Sequence, residues 1–158
     1  MELRNFEKED YDTLICWIDS DELNYQWGGP NFNFPLDHNQ ISQHCSKAEV
    51  YPYIFVVEGE SAGYVELFNV SGFHFRICRV FISEYFRGQG LSKIMLKQLI
   101  KLAKAKYGAH VLSLAVFERN KIAKGCYESL GFHVTSHESG TRSFAGKFWD
   151  LLLMEKRL

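Results

Sequence analysis

Three runs of β-branched and aromatic residues stand almost back to back: Tyr53–Glu58 (YIFVVE), Ala62–Val70 (AGYVELFNV) and Phe75–Ser83 (FRICRVFIS). Only Gly59 and the pair Ser71-Gly72 mark the turns between them. Turns this short join neighbouring strands, so the middle of the chain is predicted to be an antiparallel meander. The segment after the third strand narrows the choice further. The turn Phe86-Arg-Gly-Gln-Gly90 runs straight into residues 91–106, where Leu91, Ile94, Met95, Leu99, Leu102 and Ala103 recur at helical spacing. An almost wholly apolar strand comes next, at 110–117, and a chain that buries such a strand on both faces must place helices over the sheet.

The flanks complete the pattern. Residues 2–6 (ELRNF) read as a strand, and Tyr11, Leu14, Ile15 and Ile18 as one face of a helix over 8–20. The segment 24–37 holds two glycines, two prolines and four aromatics, and is expected to be a long aromatic loop. Asp37 and Gln40 form a capping-box pair for a helix over about 38–49. Residues 120–130 read as a helix stopped by Gly131, and two closing strands are expected at about 132–138 and 147–156. The expectation is one α/β domain over residues 1–158 (α+β by some schemes). It has a single mixed, mainly antiparallel sheet of about six to seven strands flanked by about four helices.

Composition excludes several partners. Eighteen basic and 19 acidic residues leave a net charge of -1, with no general pull toward nucleic acid or anionic membranes. The charged opening MELRNFEKED lacks the apolar run of an export signal, and no stretch is long enough to span a bilayer. Cys16, Cys45, Cys78 and Cys126 are widely spaced beside apolar stretches, and the six histidines are scattered. This favours free thiols in a reducing cytoplasm, and no metal is expected.

Two segments carry candidate chemistry. In Val80–Ser92 a buried strand enters a glycine-rich turn that opens a helix. Backbone N–H groups, the helix dipole and the absence of Cβ atoms make such a junction a cradle for an anion, and Arg87 adds a fixed positive charge. The spacing fits neither a Walker loop nor a dinucleotide loop, whose third glycine is replaced by Lys93. A solvated glycine turn is the alternative. In the second segment, Asn120, Ala123, Tyr127 and Leu130 share one helical face; taken alone, Asn120 is an ordinary helix cap and Tyr127 a core residue.

Together, in this order and about 30 residues apart, the two segments resemble the GNAT superfamily of acyl-CoA-dependent N-acetyltransferases. Arg87-Gly88-Gln89-Gly90-Leu91-Ser92 is similar to that family's Arg/Gln-x-x-Gly-x-Gly/Ala signature, with Ser92 in place of the last small residue. Asn120, Ala123, Tyr127, Gly131 and Phe132 are similar to its second motif, with Cys126 where a larger apolar residue is common. The resemblance implies acetyl-CoA as cosubstrate. Its diphosphate would rest on amides from Gly88 through Ser92, and its pantetheine arm would lie along Arg79–Ile82 and near Asn120. The N–H of Val80 or Phe81 would then stabilise an oxyanion.

Tyr127 is the expected proton donor to the CoA thiolate, since a phenol of pKa about 10 stays protonated at neutral pH. Direct amine attack needs no acyl-enzyme, so Cys78 and Cys126 are set aside as nucleophiles. Glu66 is the candidate base or relay if it faces the interior; the alternative on an alternating strand is that it faces solvent. Trp27, Phe32, Phe34 and Trp149, the last expected in the final strand, are candidates for an acceptor wall or for core-edge plugs. The acceptor is expected to be an amine of a small molecule or peptide, and the chain is expected as a monomer or homodimer. Two further readings remain: a non-catalytic acyl-CoA-binding sensor or interaction module, and a nucleotide-binding regulatory domain.

Overall fold

The structure, a computed structural model, describes residues 1–158. Its elements in chain order are β1 (Glu2–Asn5), α1 (Tyr11–Trp17), α2 (Asp21–Gly28), α3 (His38–Cys45), β2 (Val50–Val57), β3 (Glu60–Ser71) and β4 (His74–Ile82). Then come α4 (Leu91–Tyr107), β5 (Val111–Phe117), α5 (Lys121–Ser129), β6 (His133–Glu138), β7 (Ser143–Phe144), β8 (Lys147–Phe148) and β9 (Leu151–Arg157). Seven strands form one mixed sheet in the order β1-β2-β3-β4-β5-β9-β6, and β7 pairs only with β8. The meander is present: β2, β3 and β4 pair antiparallel.

Two expectations are corrected. The aromatic loop begins later than its composition implied, because residues 21–28 form the helix α2. The Ser20 side chain caps that helix by accepting from Leu23 N. The Asn24 side chain donates to the Phe32 carbonyl at 3.0 Å, and the Trp27 indole donates to the Arg79 carbonyl at 3.1 Å. The chain therefore has five α-helices where about four were expected. The last strand begins at Leu151, so Trp149 precedes it, and β9 lies between β5 and β6.

The sheet separates two cores. Met95, Leu96, Leu99 and Ala103 of α4 pack on Val65, Leu67, Phe75, Ile77, Leu112 and Leu114. Leu14, Trp27 and Ile41 from α1–α3, with Ile18 just past α1, pack on Ile54, Tyr64 and Phe81 on the opposite face. Alternation along β4 puts Phe75 and Ile77 toward α4 and Phe81 toward α1–α3. An odd-numbered residue changes face only if the strand carries an irregularity, and the register supplies it. Tyr64 opposes Phe81 and Glu66 opposes Cys78, so β4 carries one extra residue there. Arg79 occupies this bulge with φ +54°, a left-handed conformation that non-glycine residues adopt only when the surroundings impose it.

Candidate active site

The bulge sits where two strands part. β4 and β5 pair in parallel from His74 with Val111 to Ile77 with Leu114, and no further. Arg79 and Val80 have no register partner on either neighbouring strand. Beyond Ile77 the strands bound a cleft of about 470 Å³, lined by Arg79–Ile82 on one side and Ala115–Phe117 on the other. Leu23, Gln26 and Trp27 of α2 border it, as do Asn120, Ala123 and Tyr127 at the start and middle of α5.

At one end of the cleft stand Arg87 and Ser92. Between them Gly88 and Gly90 take φ +76° and +71°, and a Cβ built at either position meets nothing within 4 Å. The helix α4 begins immediately after Gly90, spans 17 residues, and has no side-chain cap and no acidic residue in its first turn. Its orphan N–H groups and dipole are thus left to whatever anion reaches them. Leu91 buries its side chain in the core, leaving its backbone to the turn. The Arg87 Nε donates to the Ile82 carbonyl at 2.9 Å, and its guanidinium lies over Phe81, 5.3 Å from the ring centroid.

The Tyr127 side chain is buried against Phe132 and faces the cleft. Burial, with smaller effects of Cys126 and Cys78, raises its pKa, so the phenol keeps its proton well past neutrality. The Asn120 Oδ1 accepts from Ala123 N at 3.3 Å, capping α5. Burial pushes the Cys78 thiol up to about 11 and raises that of Cys126, which suppresses their thiolates.

Glu66 faces inward and is wholly buried, which excludes the solvent-facing orientation. Its Oε1 accepts from His44 Nε2 and Arg79 Nη1, each at 2.9 Å, and its Oε2 accepts from the Tyr64 hydroxyl. Burial alone would raise its pKa. The His44 hydrogen bond, the Arg79 charge and the Tyr64 hydroxyl outweigh burial and hold the carboxyl below its ordinary value. Sequence reading missed His44 altogether and took Arg79 only for its backbone, not for its side chain on Glu66. A signal existed: Arg76 and Arg79 are three apart in a strand, a spacing that simple alternation cannot place on one face.

The four candidate aromatics do not form one wall. Trp27 lines the cleft, whereas Phe32 packs beside it and lines a separate cavity. Phe34 is 40% exposed and lines neither. Trp149 belongs to a distinct cluster with Tyr25, Phe117 and Leu151, under the Arg119 guanidinium. At the surface, His137 Nε2 lies 3.3 Å from carboxylate oxygens of both Glu118 and Asp150. No helix is long and apolar enough to cross a membrane.

The fold is similar to a ribosomal-protein-alanine N-acetyltransferase from Brucella melitensis (TM-score 0.81, 19% identity, covering 100% of both chains). It is also similar to spermidine N-acetyltransferase from Vibrio cholerae in complex with CoA and spermine (TM-score 0.85, 17% identity, covering 99% of this chain and 94% of that one). A third similar structure is yncA from Salmonella typhimurium with its cofactor acetyl-CoA (TM-score 0.79, 20% identity, covering 100% of this chain and 94% of that one). The family model of the acetyltransferase (GNAT) family matches residues 7–132, and the chain belongs to that family.

Proposed function

We propose that this chain transfers an acetyl group from acetyl-CoA to a primary amine by direct attack, with both substrates held together in one cleft. The observation that carries this reading is a coincidence of three features in that cleft. They are the unpaired edge of β4 at Arg79–Val80, the uncapped start of α4, and the buried, protonated Tyr127. The residues present fit the coenzyme. The open Cβ directions at Gly88 and Gly90 leave room for a diphosphate on the amides from Gly88 through Ser92. Arg87 stands beside that turn with a fixed charge. The backbone of Val80–Ile82 offers a strand-like partner to the pantetheine amides, and the Asn120 amide nitrogen remains available to them.

When bound, acetyl-CoA supplies an activated acyl carbon and a thiolate leaving group. The chain's own groups supply the rest. The N–H of Val80 or Phe81 stabilises negative charge on the acyl oxygen. The Tyr127 hydroxyl delivers a proton to the departing sulfur, and its raised pKa keeps that proton available across the neutral range. Glu66, saturated by three donors, acts through its partners: it orients Arg79 and His44, and the acceptor's proton leaves to water.

A screen of amines with acetyl-CoA, reading CoA release and acetylated product together, tests the reading. Turnover with at least one amine, lowered about 100-fold by Gly90→Asp at limiting acetyl-CoA, supports it. CoA binding without turnover on any amine returns the chain to the sensor alternative.

A further inference from the structure

A second cavity, of about 480 Å³, opens on the α3 side of the sheet. Arg79 lines both this cavity and the cleft described above, so the two meet at the bulge. The lining is unusual in charge. It holds Lys47, Arg76 and Arg79 together with His44, Gln43 and Asn31, and no acidic side chain. The nearest carboxylate, Glu66, is already shared among His44, Arg79 and Tyr64. Lys47 and Arg76 belong to none of the ion pairs of the chain. Arg79 is nine-tenths buried, donates from Nη1 to Glu66, and keeps a buried Nε with no partner. Its guanidinium lies over the Phe32 ring, 5.2 Å from the centroid. A cation held this firmly, with donor capacity unspent and two unpaired cations beside it, is built to receive an anion.

We infer that this cavity receives the carboxylate of the acceptor, and that the chain's acceptor is a small aminocarboxylate. The inference rests on the acetyltransferase reading above and names the substrate class of that site. An amine reaching the unpaired edge at Val80 has its other end directed past Arg79 toward Arg76 and Lys47. A carboxylate there meets charge-assisted hydrogen bonds, whereas a second ammonium group meets the two unpaired cations Arg76 and Lys47. The chain therefore differs in acceptor preference from the similar spermidine acetyltransferase, which is a structure in complex with spermine.

The test is a matched series of amines of two to five carbons, each with a methyl, an ammonium or a carboxylate at the far end. With acetyl-CoA saturating, the aminocarboxylates should show kcat/KM at least about tenfold above the matched alkylamines, and the diamines should fall below both. The exposed residues Arg76 and Lys47 are the variants of choice, because neither is held by an ion pair. Arg76→Gln and Lys47→Gln should raise KM for the aminocarboxylates by about tenfold while leaving the alkylamines and CoA affinity unchanged. Calorimetry of the CoA-bound protein with glutarate supplies a readout independent of turnover. Binding that is weakened in Arg76→Gln supports the inference. Diamines as the best substrates, or glutarate that fails to bind the CoA-loaded protein, overturns it. Failure to bind CoA at all overturns the acetyltransferase reading instead.

Discussion

Replacing Gly90 by aspartate separates coenzyme binding from folding, because the two effects can be worked out independently. Gly90 has φ +71°, and a Cβ added there meets no atom within 4 Å. The folding cost is then conformational, roughly 1–2 kcal/mol for a non-glycine residue in that region. A negative charge at the start of the uncapped helix α4 returns about 0.3–1 kcal/mol. The free variant should therefore melt only a few degrees below the parent, at about 2–4 °C per kcal/mol.

Binding responds far more strongly. Loss of one charge-assisted hydrogen bond to a phosphate costs about 1.5–3 kcal/mol. A like charge about 6 Å from a phosphate adds roughly 2–3 kcal/mol at an effective dielectric near 20, less what salt screens. At about 1.4 kcal/mol per decade, CoA affinity should fall about 100-fold or more. In a thermal-shift assay at about 100 times the parent Kd, the parent gains about 2.7 kcal/mol, a rise of roughly 5–10 °C. The variant should gain only about 1 °C under the same conditions. Gly90→Ala is the control: it carries the same backbone cost without the charge and should keep most of the shift. An aspartate variant with parental CoA affinity would refute the placement of the diphosphate on this turn.

The same geometry fixes other outcomes. Tyr127→Phe should lower kcat by about 10²–10⁴-fold while CoA affinity, read by calorimetry, stays near parental; full turnover would make the tyrosine a packing residue. Because burial raises the Tyr127 pKa, the parent's kcat should show no fall between about pH 8 and 10 from loss of the phenolic proton, as a stopped-flow pH profile would reveal. Glu66→Gln strands the buried Arg79 charge and should cost about 3–5 kcal/mol in urea denaturation. The Glu66 pKa is lowered in the folded state, so its contribution is present above the unfolded value of about 4.3 and is lost as pH falls through the folded value. Acidification below about pH 4.3 should therefore narrow the gap between parent and variant. Trp27 lines the cleft whereas Trp17 and Trp149 do not, so Trp27→Phe should remove the fluorescence change on CoA binding.

Local signals carried the centre of the fold. The meander, the glycine turn and α4 each combine periodicity with a turn residue that has a steric reason to be there, and β2–β4 and α4 appear within a few residues of their expected limits. The helix α2 lacks such a signal. Leu23 is its one aliphatic residue, and partners outside it hold it: the Phe32 carbonyl for Asn24 and the Arg79 carbonyl for Trp27. The insertion of β9 between β5 and β6 is likewise a matter of pairing between distant segments, which no local pattern encodes.

Short motifs at fixed spacing pointed to the glycine turn, Asn120 and Tyr127, and the fold brings Asn120 and Tyr127 to one cleft with Arg87 and Ser92. Glu66 was ambiguous because β3 is buried on both faces through its middle, so alternation gives no inside and outside. Its partners Arg79 and His44 come from a bulge and from another helix, and only the folded chain brings them to it. The four candidate aromatics scattered for the same reason: aromatic character marks burial without saying against which neighbour.

Direct movement of an acetyl group from acetyl-CoA to an amine leaves a distinct mass balance. Mass spectrometry of a single-turnover reaction reads it most directly, by counting free CoA, N-acetylated amine and acetylated protein in one quenched sample. Equal amounts of free CoA and N-acetylated amine, with no acetylated protein at any time and a reaction slowed about 100-fold in Gly90→Asp at limiting acetyl-CoA, is the predicted result. An acetyl group found first on Cys78 or Cys126, or CoA released without acetylated amine, would contradict it.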